Sequence, residues 1–571
     1  MNVSEISIPD DKINNWDNLE NLFQALYTIT FENSLDFSLW LLKLSDLESY
    51  ISEDLAWRYI KMTCNTEDMA LEKDYLYFVS EIQPKLALWQ DKLNHKISAS
   101  PFLIEMQEAG YQIYFRKVKN EIELFREANI PVFVEMQTDA QKYAAITGSL
   151  FVEHEGKQLT LQQASAMLRD PNRILRKEIY DKILSVRLDH KNELDDLLNK
   201  LIRNRQLVAE NAGFSNFRDY QHQALARFDY TVQDCFDFQE AVAEIVVPMA
   251  NEIMAERKNA MALENLKPYD LDVDPMNRAP LKPFSSGQDL LEKSTAGFSL
   301  LDPFFSDVLQ TMAQKKHFDL ESRKGKAPGG YNYPLAKTGY PFIFMNAAQT
   351  LRDLETMVHE AGHAIHSVLS KDLELNAFKD CPSEVAELAS MSMELISMDF
   401  WHLFFENESD LLRAKIEQLH GVINTLPWIA CVDAFQHWLY TNPKHTESQR
   451  NDAWLALSKK FGSEHIDWSG YEEGRAYQWQ KQLHIYEVPF YYIEYGFAQL
   501  GAIAVWKTYK ENAKKGLEKY KNALQLGYTK SIAEIYTTAG AEFRFTADYI
   551  ATLFDFVKEE LNRIKAHRIS I

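Results

Sequence analysis

The chain has 571 residues, 46% of them hydrophobic and 12% aromatic, which is apolar material for a large core and too much length for a single ordinary one. Its 61 Lys and Arg against 83 Asp and Glu leave a net charge of −22 spread without an acidic tail, which argues against nucleic acid or an anionic membrane surface as the main partner. The four cysteines show no paired spacing, the first residues carry no basic-then-apolar signal pattern, and no run of about 18 apolar residues could span a bilayer, so a soluble cytoplasmic protein without structural disulfides is expected.

Residues 1–140 read as helices separated by short acidic or proline-marked turns, because apolar residues recur at three- and four-residue spacing, as in EKDYLYFVSEIQPKLALWQDKLNHKI. The stretch 147–161 alternates around Glu155-Gly156 and predicts a small hairpin. Thr160 then caps a helix that ends before Pro171, and helix resumes from about Asn172. The run Arg187–Glu210 mixes charge and leucine at helical spacing and predicts one partly exposed helix. NAGFSNFRDYQHQALARFDYT is a turn followed by an aromatic-rich helix, in which His222 reads as a packed or surface group. Four prolines make 266–284 the clearest loop. From 321 to 346, glycines and prolines flank short alternating runs that predict two or three strands, with PFIFMN as an edge along which an extended peptide could hydrogen-bond. Beyond 367 the pattern is helical almost to the end.

The chemistry concentrates in TMVHEAGHAIHS, residues 356–367. His359 and His363 lie four apart on one helical face, about 6 Å along the axis, so both imidazoles can take corners of a tetrahedral zinc with Glu360 beside its water. Thr350 and Asp353 form a capping-box pattern at the start of this helix. Gly362 inside it costs about 1 kcal/mol relative to alanine, which makes sense where another backbone approaches closely. Two histidines leave the zinc one protein ligand short. Of the acidic residues downstream, Asp372 and Glu374 fall in the turn, while Glu384, Glu387 and Glu394 lie on a second predicted helix that starts after Cys381-Pro382.

HEAGHAIH, followed by Glu387, Ser390 and Glu394 in AELASMSMEL, resembles the thimet oligopeptidase and oligoendopeptidase F family of zinc metallopeptidases, in its oligoendopeptidase F branch. The resemblance implies Glu387 as the third metal ligand and Glu394 behind the ligands, with Glu384 as the rival position. His366 reads as packing or as a residue behind the ligands. HIYEVPFYYIEYGFAQLGA adds His484, Tyr492 and Tyr495, which the resemblance assigns to oxyanion stabilisation, a role that neutral phenols can fill.

The implied fold is mainly α, two-lobed and helical, with a small sheet beside the His-Glu-x-x-His helix and a deep substrate channel. The implied organisation is an N-terminal helical lobe with a small hairpin over 1–170 and a metallopeptidase region over 171–571. The implied activity is zinc-dependent hydrolysis of internal bonds in short peptides, with one Zn2+ per chain held by His359, His363 and Glu387 and with Glu360 as general base. Two other readings stay open: a dipeptidyl carboxypeptidase on a related helical scaffold, and a peptide-binding protein without catalysis.

Overall fold

The computed structural model describes residues 3–569. Helices dominate, with one two-stranded hairpin and one three-stranded sheet among the described residues. No helix among them is long and apolar enough to cross a membrane. The chain divides into two compact units, each assembled from three stretches: Met1–Val134, Lys282–Leu411 and Ala498–Phe543 in the first, and Glu135–Leu281, Leu412–Phe497 and Arg544–Ile571 in the second.

In the first unit, the helix Ser34–Cys64 starts where the Asn33 side chain accepts the Asp36 amide, which satisfies one of the helix's orphan N–H groups. Phe37, Trp40, Leu41, Leu44 and Leu47 recur at helical spacing and are buried against Trp89, Leu93 and Phe115. Farther along this helix Ala56 and Ile60 pack on Leu335, Phe342 and Phe344, which joins it to the sheet. That sheet has the order Phe318–Glu321, Phe342–Ala347, Tyr331–Tyr333, its first pair parallel and its second antiparallel. Phe342–Ala347 is therefore the central strand, not the edge that its position before the His-Glu helix suggests. Its residues are buried from Phe342 to Met345, and such a strand reads as a continuous apolar run because both faces are covered. The outer strand on one side is Tyr331–Tyr333, whose Tyr331 ring stacks on Phe344 at 4.7 Å and whose hydroxyl meets Thr63 Oγ1 at 2.6 Å.

The helix Leu351–Ser370 follows, and its predicted capping box is present: Thr350 Oγ1 accepts the Asp353 amide, and the Asp353 carboxylate accepts the Thr350 amide. The helix Ser383–Ile396 packs directly on it. A Cβ placed on Gly362 would stand 2.7 Å from Ser390 Cα and 2.9 Å from the Ala389 carbonyl oxygen, so only glycine permits this approach of two backbones. Two buried tyrosines tie down the second helix: Tyr520 donates to the Ala389 carbonyl and Tyr536 to the Glu384 carbonyl, each at 2.8 Å.

In the second unit, the hairpin pairs Phe151–His154 with Lys157–Thr160, turning at Glu155 and Gly156 with positive φ at both, as a tight two-residue turn requires. Thr160 and Gln163 form the cap of the next helix. The run read as one helix from Arg187 is two: Arg173–Asp189 ends at His190, whose ψ of 5° leaves the helical range, and Lys191–Asn211 begins afresh. Several buried charges here are paired. Arg176 and Arg173 both reach Asp270, Arg450 reaches Asp195, and Arg227 reaches Glu494. Each pairing answers the cost of leaving an ion alone in the core.

Gly362 yields the first prediction. An alanine there gains about 1 kcal/mol of helix propensity but drives a methyl into backbone atoms that cannot swing aside, and overpacking of this kind costs about 1–3 kcal/mol or more. Gly362→Ala is therefore expected to lower the urea midpoint, whereas a midpoint at or above that of the parent chain would show that the helices part freely.

Candidate metal centre and active site

On the helix Leu351–Ser370, His359 and His363 face the same way, their rings 4.9 Å apart and nearly perpendicular. Glu387 enters between them from the facing helix, its Oε2 lying 3.3 Å from His359 Nε2 and 3.5 Å from His363 Nε2. Tetrahedral zinc with bonds of about 2.0–2.1 Å sets its ligand atoms roughly 3.3–3.4 Å apart, so two imidazoles and a carboxylate at these separations fit that ion. Glu394, two turns beyond Glu387, meets His359 Nδ1 at 2.7 Å, which leaves Nε2 turned inward. Ser390 Oγ donates to Glu387 Oε2 at 2.9 Å and holds the carboxylate in place.

The electrostatics follow from burial and proximity. Burial alone would lower the His359 imidazole, but Glu387 and Glu394 outweigh it and hold it well above its ordinary value. Burial alone would raise the Glu387 carboxyl, but His363 and His359 draw it well below the usual carboxylate range. Glu360 is buried on the same helix, and desolvation raises its carboxyl against the pull of both histidines. Its backbone carbonyl accepts the Asn332 amide at 3.2 Å, which ties the outer strand to this turn of helix.

The remaining candidates fall elsewhere. Glu384 is buried one turn before Glu387 and does not join the cluster. His366 points away, its Nε2 lying 3.5 Å from Cys381 Sγ, and burial lowers its imidazole to about 3. His484, Tyr492 and Tyr495 belong to the second unit and form a cluster of their own, with the His484 ring 4.8 Å from Tyr492 and 5.8 Å from Tyr495. The donors nearby define the state of that ring. Trp428 Nε1–H can only donate, and it reaches Gln482 Oε1 at 2.9 Å. The Gln482 amide nitrogen is thereby turned to His484 Nδ1 at 2.6 Å. Nδ1 then accepts, and the proton of the neutral ring sits on Nε2.

Compared with known proteins, residues 166–554 match Peptidase family M3, and residues 12–125 match the Peptidase M3 N-terminal domain. The chain belongs to peptidase family M3. An oligoendopeptidase F homolog of Lactococcus lactis subsp. lactis (strain IL1403) is 21% identical over 414 residues, covering 72% of this chain, and the chain spans only 66% of that relative's length. The group B oligopeptidase PepB of Streptococcus agalactiae serotype III (strain NEM316) is 22% identical, with 92% of this chain and 90% of the relative covered. The solved structure of PZ peptidase A with inhibitor 2 superposes with a TM-score of 0.91 at 25% identity over 98% of this chain and 99% of that one. The mainly helical fold with small sheets is thus that of family M3.

For this M3 chain, sequence reading missed two groups of residues. Asn332 was hidden because nothing in GGYNY marks its amide as reaching the His-Glu helix. Gln482 and Trp428 lie 54 positions apart and carry no motif. Ser390, by contrast, was picked out by the family resemblance.

The geometry ranks the carboxylates. Glu387→Ala is expected to abolish tight metal binding in a competitive chelator titration. Glu394→Ala is expected to weaken it by about 10–100-fold through loss of the His359 contact, and Glu384→Ala to leave it near the parent value. A larger loss from Glu384→Ala than from Glu387→Ala would reassign the ligand.

Proposed function

We propose that the chain is a zinc-dependent oligoendopeptidase that hydrolyses internal bonds of short peptides. The observation that carries this reading is the convergence of His359 Nε2, His363 Nε2 and Glu387 Oε2, with the buried Glu360 carboxyl close enough to feel both histidines. His359, His363 and Glu387 would hold the ion. When bound, zinc supplies Lewis acidity toward a peptide carbonyl and toward water.

The protein's own groups do the rest. Glu360 takes the proton of the attacking water as the new carbon–oxygen bond forms, then passes it to the departing nitrogen as the carbon–nitrogen bond breaks. A carboxyl raised by burial is suited to both halves of that task, because it holds a proton better than an exposed glutamate does. The substrate backbone is proposed to align along the outer strand Tyr331–Tyr333, the side of the sheet whose Asn332 already touches the Glu360 turn. The neutral phenols of Tyr492 and Tyr495 and the Nε2–H of His484 are all donors, which suits them to the oxyanion of the tetrahedral intermediate. The names of the similar proteins, oligopeptidase and oligoendopeptidase, support peptides over folded proteins as substrates, with a length of roughly 5–20 residues for a strand-like binding mode. A cytoplasmic setting agrees with the unpaired spacing of the cysteines.

Three measurements test the reading. Glu360→Gln is expected to keep metal and fold while kcat falls by about 10²–10⁴-fold, because an amide accepts no proton; turnover near the parent rate would remove Glu360 from the mechanism. Peptides blocked at both ends should be cut internally, as seen by mass spectrometry, and cleavage that requires a free C-terminus would point to a dipeptidyl carboxypeptidase. Tyr492→Phe and Tyr495→Phe should lower kcat by up to about 10²–10³-fold with little change in KM, and an unchanged kcat in both would withdraw the oxyanion role.

A further inference from the structure

A second group of potential ligands lies in the other unit. Cys235, on the helix Val232–Ala241, meets Asp433 and His437, which are one turn apart on the helix Glu408–Thr441, and their ligand atoms all lie within 4.8 Å of one another. All three are buried, Cys235 and Asp433 completely. Cys235 Sγ donates to the Thr231 carbonyl at 3.5 Å, while Asp433 and His437 are poorly served by the protein. Asp433 Oδ2 accepts the Gln239 amide at 2.7 Å, but Oδ1 makes no hydrogen bond. Neither ring nitrogen of His437 makes one either: Nε2 stands 3.3 Å from Asp433 Oδ2 without hydrogen-bond geometry, and the ring is flanked by Phe236 and Phe490.

Native cores rarely leave such groups unanswered, since an unsatisfied buried polar atom gives up its water and gains nothing in return. An ordinary Asp–His pair would bring Nε2 into line with the carboxylate. The 3.3 Å separation is instead that of two ligands on one tetrahedral ion, as in the His359–Glu387 pair. We propose that Cys235, Asp433 and His437 form a second divalent-metal site, of zinc type, that clamps the helix Val232–Ala241 to the helix Glu408–Thr441. A thiolate, an imidazole and a carboxylate are ligands that zinc accepts, and three protein ligands with one further position is a coordination it takes. The charges also close: thiolate and carboxylate carry two negative charges, which a divalent cation neutralises in a site that water does not reach. On binding, Cys235 loses its proton to solvent, a metal–sulfur bond forms, and no redox step is involved. The site is separate from His359, His363 and Glu387, and its proposal stands whether or not those residues act in catalysis.

Cobalt separates the two centres, because the His359 centre contains no sulfur. The full-length chain, stripped of metal and loaded with Co2+, is expected to show a thiolate-to-cobalt charge-transfer band. The band should persist in the His359→Ala/His363→Ala double variant and disappear in Cys235→Ser. Elemental analysis of zinc-loaded protein should fall from about two ions per chain to about one in each of these variants. Absence of the band in the parent chain at saturating Co2+ overturns the proposal, as does a band that survives in Cys235→Ser. Should Cys235→Ser fail to fold by circular dichroism, His437→Gln replaces it, and an unchanged band there overturns the proposal equally.

Discussion

The contact on which the candidate site depends is the close approach of two helix backbones at Gly362. Glutamate has a short reach, so Glu387 can bring its carboxylate between two histidines of the neighbouring helix only if the helices nearly touch. The absent side chain at Gly362 leaves room for Ser390 Cα and the Ala389 carbonyl. The second helix is held further by Tyr520 and Tyr536, which donate to its Ala389 and Glu384 carbonyls. Such bonds are unusual in a helix interior, because those carbonyls already accept within the helix, and they position the helix as well as stabilise it. At the other end of the arrangement, the Thr350–Asp353 cap sets where the first helix begins and therefore which face carries the histidines.

Given that geometry, the charges arrange themselves. Glu394 and Glu387 grip the two nitrogens of His359, and Ser390 holds Glu387, so two of the three ligand candidates are oriented by a group behind them. Such a set is rigid where its members are constrained in this way, and a rigid set keeps its shape when a cation enters. Glu360 shares the helix but not this network of pairing, and burial biases its carboxyl toward holding a proton. Two glutamates on facing helices are thus driven in opposite directions by their surroundings, Glu387 toward ionisation and Glu360 away from it.

Much of this was legible in the sequence. The histidine pair, the cap before it, the hairpin at 151–160 and the second helix after Cys381-Pro382 all arise from local rules of period, capping and turn chemistry, which act within a few residues. What was not legible depends on long-range pairing. Phe342–Ala347 is apolar enough to be a strand, but its central place was decided by Phe318–Glu321 and Tyr331–Tyr333 arriving on either side. The end of a helix at His190 has no glycine or proline to announce it. Cys235, Asp433 and His437 form a group only because two distant helices cross, and the three-stretch make-up of each compact unit is marked by no linker or shift in composition.

The proposed function requires a zinc ion on the face formed by His359, His363 and Glu387. Crystals of the purified full-length chain, measured on both sides of the zinc absorption edge, test it most directly. An anomalous peak about 2.0–2.2 Å from His359 Nε2, His363 Nε2 and a Glu387 carboxylate oxygen is the expected result. Crystals grown with added zinc that show no peak there, or one held by Glu384 in place of Glu387, would contradict it.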